Sequence, residues 1–477
     1  MSGQGGDSSY GQDTDAHVHG TNLAGANEFW GDESSAVRDA LTWAVARMAG
    51  SSDPRSTARP ESELAAAAGT TVTRGGIGSA EAMRIFTEVL EPATRAQGHE
   101  LNLAYIPAAP NRSAVAFDAV TGSSNIFGGL WEAGAGGIHA ENEVLAWLAG
   151  LLQWPDTAAG CFVSGGTIGN LSALFAARKR ALRRRGAKPD GGWTLVYTSG
   201  AHSSIATAAD VLDAATAEVP VDERGHMTGA ALREVLERTP SAFAVVTSAG
   251  TTNTGVIDDL ADVADACAEH DVWMHVDGAY GGAGLLAPSV REQFRGIERA
   301  DSFIVDPHKW LFAPYDCCAL MYRDAADARQ AHAQHASYLD HVDREEPNPS
   351  DLALHLSRRV RGLPLWFGLA THGTDRYREA IEQTLVTARE IAAGIETITQ
   401  LHLLVAPELS VVMFDRPGWD EGDYDRWCDR LAHEGIMLCV PTRWKGRAVL
   451  RVAIVNPDTS AQTVLRILDE TTRSDHG

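Results

Sequence analysis

A lysine inside an apolar segment is the residue of this sequence best suited to covalent chemistry. Lys309 follows an apolar run at 302–305 and the strand-ending Pro307, and an aromatic-rich stretch at 310–312 comes after it. Apolar neighbours disfavour the charged ammonium, and the neutral amine is the form that attacks a carbonyl to make a Schiff base. The alternative is a structural lysine whose stem covers apolar surface.

An aspartate at the end of a second apolar run is a possible partner for that lysine. Asp277 ends the run 272–277, and mostly small residues follow it. Functional groups of open α/β sheets gather beyond the carboxyl ends of strands, and the 32 residues between Asp277 and Lys309 leave room for one crossover. Such a carboxylate can pair with a pyridinium nitrogen while a lysine holds the aldehyde of pyridoxal phosphate (PLP). A turn or helix cap is the commoner role of an aspartate at this place.

A glycine-rich turn provides a candidate phosphate site. Gly165, Gly166 and Thr167 join an apolar run to a helical pattern. Glycines let backbone N–H groups approach an anion, and a helix N-terminus favours negative charge. The turn matches neither the Walker loop nor the dinucleotide-binding fingerprint.

Five motifs, taken in chain order, resemble the group II PLP-dependent amino-acid decarboxylases. They are Ser-Gly-Gly-Thr at 164–167, Ala-His-Ser-Ser at 201–204, Gly-Thr-Thr at 250–252, His-Val-Asp-x-Ala-Tyr at 275–280 and Asp-Pro-His-Lys-Trp at 306–310. That family includes the aromatic-L-amino-acid, glutamate and histidine decarboxylases, which have fold type I. The resemblance extends over about residues 30 to 470 and does not indicate the substrate.

The resemblance implies roles for individual residues around the cofactor. Lys309 would hold PLP as an internal aldimine, Asp277 would keep the ring nitrogen protonated, and His202 would stack on the pyridine ring. Thr252 would lie near the ring oxygen. The other predicted cofactor contacts are Gly165, Gly166, Thr167, Ala279 and His308. For His202 and Thr252 the alternatives are a helix cap and a polar turn.

One position departs from the family pattern at the predicted phosphate site. Asp306 stands where aromatic-L-amino-acid decarboxylases have asparagine. A carboxylate close to a phosphate is repulsive, so we expect Asp306 to turn away and cap a backbone N–H.

The predicted substrate contacts rest on the resemblance. The extended stretch 101–110 lines the pocket in the family, where a Tyr-Phe-Pro-Thr run is found at the matching place. Here the run is Tyr105, Ile106, Pro107 and Ala108, which lacks one ring and one hydroxyl. An ordinary aromatic substrate is therefore less well supported. Trp131 and Arg451 complete the prediction, with a salt bridge as the alternative for Arg451.

A tyrosine in a polar stretch is a candidate proton donor. Tyr338 lies within residues 329–350, which carry two prolines and predict a mobile loop that closes the site. The matching family loop carries Tyr-Leu-Lys-His. The resemblance implies that Tyr338, like the tyrosine of that loop, is a general acid that protonates the carbanion after carbon dioxide leaves. Asp340 replaces the family lysine, and an ordinary loop tyrosine is the alternative.

Strand-like runs alternate with helical patterns between residues 162 and 322. This alternation predicts a mainly parallel sheet with helices on both faces. The resemblance makes it the PLP-dependent transferase-like fold of type I, an α/β fold. The predicted strands are 161–163, 193–198, 243–248, 272–276, 302–305 and 317–322, and a smaller set follows at 402–405, 410–414, 437–440 and 448–454.

Helical patterns and composition divide the chain into four predicted parts. Residues 1–28 predict a disordered tail, 29–112 a helical segment and 367–477 a small α/β domain. The resemblance implies that residues 29–112 pack on a partner subunit and that residues 113–366 form the large PLP-binding domain. Further predicted helices are 29–48, 61–69, 79–95, 119–130, 136–152, 375–400, 421–434 and 459–472. Glu141 and Glu143 are expected near the start of their helix, where acidic residues complement the dipole.

Charge and cysteine content exclude several classes of function. Lys and Arg total 40 against 63 Asp and Glu, a formal charge of −23, which argues against a nucleic acid or an anionic membrane as partner. Six cysteines without zinc or C-x-x-C spacing, and no basic-plus-apolar leader, predict reduced thiols in a cytoplasm. The sequence contains no run of eighteen apolar residues, so no membrane-spanning helix is predicted. No metal site is expected.

These observations predict a homodimeric, PLP-dependent lyase that decarboxylates an L-amino acid. Oxidative deamination to an aldehyde, β-elimination and transamination are alternatives, because PLP serves all of them and the sequence does not show which bond is held perpendicular to the ring. A cofactor-free scaffold is less well supported, because Lys309 and Asp277 are both present.

Overall fold

The computed structural model describes residues 34–50, 57–95, 97–333, 346 and 348–473. These residues form two compact units, one of residues 34–49 and 61–91 and the other of residues 50, 57–60, 92–95, 97–333, 346 and 348–473. The predicted tail of residues 1–28 lies outside the described residues. The four predicted domain boundaries differ from this division and stay a prediction.

The first unit is helical. It contains α1 (Ser34–Ala49), α2 (Glu61–Ala68) and α3 (Ser79–Ile85), and a π-helical turn at Phe86–Leu90 continues α3. The ring of Trp43 meets the edge of Phe86 at 5.1 Å. The predicted helix 79–95 therefore changes its winding at Phe86, and Pro92 lies in the 3₁₀ turn that follows.

A seven-stranded sheet is the centre of the second unit. Its strand order is β1-β7-β6-β5-β4-β2-β3. Neighbouring strands from β3 through β6 are parallel, and β7 runs antiparallel to both β6 and β1. The strands are β1 (Ala159–Val163), β2 (Trp193–Tyr197), β3 (Ala214–Glu218), β4 (Ala242–Ser248), β5 (Trp273–Asp277), β6 (Ser302–Val305) and β7 (Cys318–Tyr322).

Burial explains which of these strands the sequence reveals. All residues of β5, β6 and β7 are buried, and strands covered on both faces give continuous apolar runs. The edge strand β3 was missed, because its sequence Ala-Ala-Thr-Ala-Glu is partly exposed and carries no apolar run. The mainly parallel sheet is confirmed.

Helices cover both faces of the sheet and connect its strands. They are α4 (Arg112–Ser124), α5 (Trp131–Leu151), α6 (Gly166–Arg185), α7 (Ser203–Val211), α8 (Gly229–Arg238), α9 (Leu260–Glu269), the short α10 (Pro307–Trp310), α11 (Ala325–His332) and α12 (Leu363–Ile395). No helix among the described residues is long and apolar enough to cross a membrane.

Two helices begin earlier than the sequence predicts. The side chain of Asn111 accepts a hydrogen bond from Ala114 N and so caps α4, which ends at Asn125 in a left-handed conformation. Helix α5 begins at Trp131 because Gly134 kinks it without ending it. The prediction that Glu141 lies near a helix start is therefore wrong, since this residue is buried in the middle of α5.

A four-stranded antiparallel sheet lies towards the C-terminus, in the order β10-β11-β9-β8. Its elements are β8 (His402–Val405), β9 (Val411–Asp415), α13 (Glu421–His433), β10 (Val440–Trp444), β11 (Arg447–Ala453) and α14 (Ala461–Thr472). The sequence placed β10 three residues too early, and the other bounds agree within two residues. Helix α12 extends from Leu363, twelve residues before its predicted start, across a non-helical Gly373.

Candidate active site

The candidate site is a cavity of about 300 Å³ at the carboxyl ends of the strands of the large sheet. This is the edge where open α/β sheets gather functional groups. All nine predicted cofactor contacts line it: Gly165, Gly166, Thr167, His202, Thr252, Asp277, Ala279, His308 and Lys309. Residues from five separate segments of the sequence thus meet in one place.

Lys309 lies on α10, immediately after β6, and forms an ion pair in the cavity. Its Nζ is 2.9 Å from Asp306 Oδ2, and its side chain is 22% exposed. Burial works against the ammonium, but the carboxylates of Asp306 and Asp277 outweigh it and raise the pKa of Lys309 above its ordinary value. The expectation that apolar neighbours favour the neutral amine of Lys309 is therefore wrong, because the two carboxylates stabilise the ammonium.

Asp306 does not cap a backbone N–H, contrary to the expectation from the sequence. It precedes α10 without making a side-chain capping hydrogen bond. Its carboxylate is 3% exposed and turns into the cavity, where Oδ2 meets Lys309. The other oxygen, Oδ1, is buried without a hydrogen-bond partner among the described residues. The short α10 places Asp306 and Lys309 one turn apart, so the two side chains meet.

The glycine turn at the start of α6 has the properties of an anion cradle. No side chain caps the N-terminus of this 20-residue helix, so its first N–H groups remain available at the cavity. A Cβ at Gly166 would lie 3.1 Å from Asp306 Oδ2 and 3.4 Å from the Ala279 Cβ. Glycine at 166 therefore permits this close packing, whereas a Cβ at Gly165 would meet nothing within 4 Å, so the open space at the turn lies at Gly165.

Asp277 ends β5 and is held by two hydrogen bonds. Its Oδ1 accepts from Ala279 N at 3.0 Å, which is the turn role considered above, and Oδ2 accepts from Asn170 Nδ2 at 3.0 Å. The residue is 8% exposed and lines the cavity. A fixed carboxylate of this kind is the acceptor that a protonated ring nitrogen requires.

His202 both caps a helix and lines the cavity. Its Nδ1 accepts from Ser204 N at 3.2 Å, as the first turn of α7 requires, and lies 2.9 Å from Ser204 Oγ. His202 therefore does cap α7, which was the alternative role. Because it also lines the cavity, its ring can still lie beside a bound cofactor ring. Since Nδ1 is an acceptor, the neutral ring carries its proton on Nε2.

His308 and an unpredicted tyrosine form one wall of the cavity. His308 Nδ1 lies 2.7 Å from Cys317 O, and burial lowers the pKa of His308. The Tyr315 ring packs against the imidazole with centroids 4.8 Å apart. Tyr315 and Asp316 both line the cavity, and Asp316 pairs with Arg361 at 2.6 Å.

None of the five predicted substrate residues lines this cavity: Tyr105, Ile106, Pro107, Trp131 and Arg451. Tyr105 is 64% exposed, and its carbonyl accepts a 2.6 Å hydrogen bond from Arg451 Nη1. Their role stays a prediction. Tyr338 lies outside the described residues, so its place is not tested.

Sequence reasoning missed Asn170, Ser204, Tyr315 and Asp316. Asn170 falls one helical turn after Gly166, which was a usable signal because residues four apart share a helix face. Tyr315 and Asp316 follow the lysine segment directly, and only the return of the chain towards the cavity brings them there. The described residues contain no cluster of three or more side chains that could hold a metal ion.

These features fit PLP. A lysine amine, a buried carboxylate held by hydrogen bonds, an uncapped helix N-terminus and a histidine surround a single space. Lys309 would hold the aldehyde carbon, Asp277 the ring nitrogen and the turn 165–167 the phosphate. The Asp306 carboxylate lies beside that turn through Oδ2, the oxygen paired with Lys309, and its charge is unfavourable to a phosphate there.

Comparison with known proteins identifies the family. The family model described as the pyridoxal-dependent decarboxylase conserved domain matches residues 83–416. The chain is 31% identical over 388 residues to an aromatic-L-amino-acid decarboxylase of Bacillus atrophaeus, covering 78% of this chain and 80% of the relative. It is 32% identical over 387 residues to an L-2,4-diaminobutyrate decarboxylase of Rhizobium meliloti, covering 78% and 77%.

Solved structures agree on the fold. The crystal structure of Oryza sativa TDC with PLP and tryptamine superposes with a TM-score of 0.84 at 22% identity, covering 96% of this chain and 99% of that one. Mouse CSAD gives a TM-score of 0.83 at 24% identity, covering 92% and 98%. The predicted fold type is therefore confirmed. The chain belongs to the pyridoxal-dependent decarboxylase family, and it is a PLP-dependent amino-acid decarboxylase.

Proposed function

We propose that the 300 Å³ cavity is where this chain decarboxylates an L-amino acid, with Lys309, Asp277 and His202 as the groups that touch cofactor and substrate. The observation that carries the proposal is the placement of Lys309 and Asp277 on one cavity beside the open N-terminus of α6. PLP, when bound, supplies an electron sink for the electrons that remain as carbon dioxide leaves.

Asp277 keeps the ring nitrogen positively charged in this proposal. Its two oxygens are fixed by Ala279 N and Asn170 Nδ2, so the carboxylate presents its charge without reorganising. Preorganised charge of this kind is usually the largest single contribution to catalysis. His202 lines the same cavity and, because Nδ1 accepts from Ser204 N, it can donate a hydrogen bond from Nε2.

Lys309 must lose a proton before its amine can form a covalent bond. Asp306 Oδ2, at 2.9 Å from Nζ, stabilises the ammonium form, so the proton must leave to solvent before the amine can react. The same carboxylate lies against the turn proposed to hold the phosphate. Asp306 therefore opposes both cofactor attachment and phosphate binding in this proposal.

The substrate class is narrowed by the relatives and by the cavity wall. Relatives at 29% to 32% identity are named as decarboxylases of aromatic amino acids, of L-2,4-diaminobutyrate and of histidine. Tyr315 adds an aromatic surface and a hydroxyl to the wall, and Asp316 is already paired with Arg361. We therefore include aromatic, imidazole and short diamino acids in the substrate test.

The homodimer is part of the proposal. Tyr105 does not face the cavity of its own chain, is 64% exposed and has a positive φ of 56°, a conformation supported by the Arg451 hydrogen bond. An exposed, supported loop residue is suited to complete the pocket of a second copy.

A cytoplasmic location is also proposed, since all six cysteines are unpaired and buried in an acidic protein.

The test combines cofactor absorbance with product analysis. The wild-type protein is expected to show a visible band that borohydride abolishes, and Lys309→Ala is expected to lose the borohydride-trapped adduct and turnover. Carbon dioxide, amine, ammonia and oxygen are then followed together with the three classes of amino acid. Normal turnover in Lys309→Ala would contradict the assignment. Oxygen consumption with aldehyde would replace the amine-forming reaction by oxidative deamination.

A further inference from the structure

A buried chain of hydrogen bonds runs from the middle of the large sheet to the cavity. Trp273 Nε1 donates to Ser302 Oγ at 2.8 Å, and the same oxygen lies 2.8 Å from His275 Nδ1. His275 Nε2 lies 2.8 Å from Asn170 Oδ1, and Asn170 Nδ2 donates to Asp277 Oδ2 at 3.0 Å. Four side chains from β5, β6 and α6 therefore lead to the carboxylate of Asp277 at the cavity.

Regular secondary structure produces this alignment. Trp273, His275 and Asp277 alternate along β5 and so share one face of the sheet. Ser302 on β6 is the direct partner of His275 in the parallel register. Asn170 and Gly166 are four residues apart on α6, so the asparagine faces the same side as the glycine turn.

The two ends of the chain fix the direction of every donor. A carboxylate of Asp277 can only accept, so the Asn170 amide turns its NH₂ to Asp277 and its Oδ1 to His275. His275 must then donate from Nε2, and the neutral ring accepts at Nδ1. Ser302 Oγ accepts from the indole N–H, which can only donate, and gives its own proton to His275 Nδ1.

His275 is the point at which this order would fail if the ring were charged. It is fully buried, and burial lowers the pKa of His275 to about 4 although Asp277 pulls in the other direction. The imidazole is therefore neutral at physiological pH, with one donor and one acceptor. That is the state that the chain of hydrogen bonds requires.

A branch connects the same asparagine to the second cavity group. Asn170 Nδ2 also contacts Ser204 Oγ at 3.2 Å, and that oxygen lies 2.9 Å from His202 Nδ1. Since Ser204 Oγ accepts from the amide, its own proton points to Nδ1. Asn170, which is 1% exposed, thus contacts both the carboxylate and the serine that sets the His202 tautomer.

We propose that Asn170 is a positioning residue that holds the Asp277 carboxylate aimed at the ring nitrogen of PLP, and that His275 behind it fixes the orientation of the Asn170 amide. This inference rests on the proposed role of Asp277. It adds that the carboxylate works through a defined chain of neutral donors and does not act alone. Replacing Asn170 or His275 is therefore expected to weaken the interaction between Asp277 and the ring nitrogen, while the phosphate turn 165–167 stays intact.

A ligand without the ring nitrogen separates this role from simple packing. The apo form of the full chain is titrated with PLP and with its analogue in which carbon replaces the ring nitrogen, and dissociation constants are measured by absorbance. Asn170→Leu is expected to bind PLP about 10- to 100-fold more weakly, the value of a hydrogen bond to a charged group. Binding of the analogue should change less than about threefold.

Two histidine variants give an independent arm if Asn170→Leu does not fold. His275→Gln keeps a donor near the Nε2 position and should retain most of the PLP preference, whereas His275→Leu should lose it. Ser172→Ala is the matched control, because Ser172 is buried on the same helix and its hydroxyl accepts from Leu354 N outside this chain of hydrogen bonds.

The outcomes distinguish the positioning role of Asn170 from the proposed role of Asp277 at the ring nitrogen. Equal weakening of PLP and the analogue in Asn170→Leu, or no weakening of either, overturns the positioning role. Asp277→Asn is measured alongside. If Asp277→Asn discriminates between the two ligands and Asn170→Leu does not, only this inference fails. If Asp277→Asn fails to discriminate, the assignment of Asp277 to the ring nitrogen is wrong, and the inference fails with it.

Discussion

At the scale of single residues, the pairing of Lys309 with Asp306 is the main departure from the family pattern. An asparagine at position 306 would give the lysine a neutral neighbour, whereas the aspartate gives it a counter-charge at 2.9 Å. The carboxylate raises the pKa of Lys309 and so retains the unreactive ammonium to higher pH. This chain is therefore expected to form its covalent link to the cofactor by a pH-dependent step.

Replacing Asp306 by asparagine should make that step easier at neutral pH. The negative charge raises the pKa of Lys309, so removing it lowers the pKa and shifts the rate-against-pH curve of cofactor attachment towards lower pH. Stopped-flow absorbance of apo protein mixed with PLP, from pH 6 to 10, measures the curve. We also expect tighter phosphate binding, because a carboxylate beside the turn 165–167 has been removed.

Asp316→Asn is the matched control for the charge. Asp316 also lines the cavity, but it is paired with Arg361 rather than with the lysine. Its replacement should leave the curve in place. A curve that moves equally in both variants would mean that general charge in the cavity, and not the 2.9 Å ion pair, controls attachment.

Tyr338 remains the predicted proton donor after carbon dioxide leaves. Tyr338→Phe should lower the yield of amine and raise aldehyde and peroxide, because the carbanion would live longer and react with oxygen. Tyr315→Phe is the decisive comparison, since Tyr315 is a phenol that lines the cavity. If only Tyr315→Phe changes the products, the donor is Tyr315. If neither variant changes them, no tyrosine of this pair protonates the intermediate.

At the scale of elements, a buried ion pair fixes α5 to the segment before α12. Arg358 pairs with Glu141 at side-chain exposures of 1% and 2%, and it donates through Nε to Gly128 O at 2.8 Å. Glu141 Oε1 also accepts from Gly362 N at 2.9 Å. The sequence suggested that Glu141 complements the dipole at a helix start. Its hydrogen bonds to Arg358 and Gly362 instead join α5 to a segment more than 200 residues later in the chain.

Removing Glu141 should therefore destabilise the fold strongly. Glu141→Leu leaves a buried guanidinium without its counter-charge, and breaking such a pair typically costs about 3–5 kcal/mol of unfolding free energy. Urea unfolding of the holoenzyme followed by far-UV circular dichroism measures the change. Glu143→Leu, on the exposed face of the same helix, should cost less than about 1 kcal/mol. Similar losses in both variants would remove the special role of the ion pair.

At the scale of the whole molecule, helix α1 carries an apolar stripe that remains exposed. Val37, Leu41 and Val45 are 59%, 55% and 63% exposed, and their spacing of four residues places them on one face. Neighbouring exposed apolar side chains of this kind mark interaction surfaces. The stripe supports the proposed homodimer, in which the first unit packs on a second copy.

A charge in the stripe should separate the subunits. Leu41→Asp is expected to shift the protein from dimer to monomer in sedimentation velocity and to lower decarboxylase activity, because an unpaired carboxylate would be buried at the interface. Val211→Asp introduces the same charge at a side chain that is 63% exposed in the second unit and should leave the dimer intact. A stable, active wild-type monomer would contradict the dimer altogether.

The sequence by itself determined the order of the motifs, the family and most of the sheet. Buried strands such as β5 and β6 give continuous apolar runs, and functional residues directly follow such runs, so Asp277 and Lys309 could be located without coordinates. The exposed edge strand β3 carries no such pattern and could not be located in this way. Helix starts at Arg112 and Trp131 were misplaced because an asparagine cap and a tolerated glycine kink are weak local signals.

The charge state and partners of the site were decided only by the tertiary structure. A lysine among aromatic residues predicts a lowered pKa, but the short helix α10 turns Asp306 towards Lys309 and reverses the sign. Asn170 becomes a partner of Asp277, 107 residues later, only because α6 lies across the end of β5. Local sequence specifies which groups are present and on which face of an element they lie. Electrostatic interactions depend on distances between elements, which are set by the packing of the whole chain.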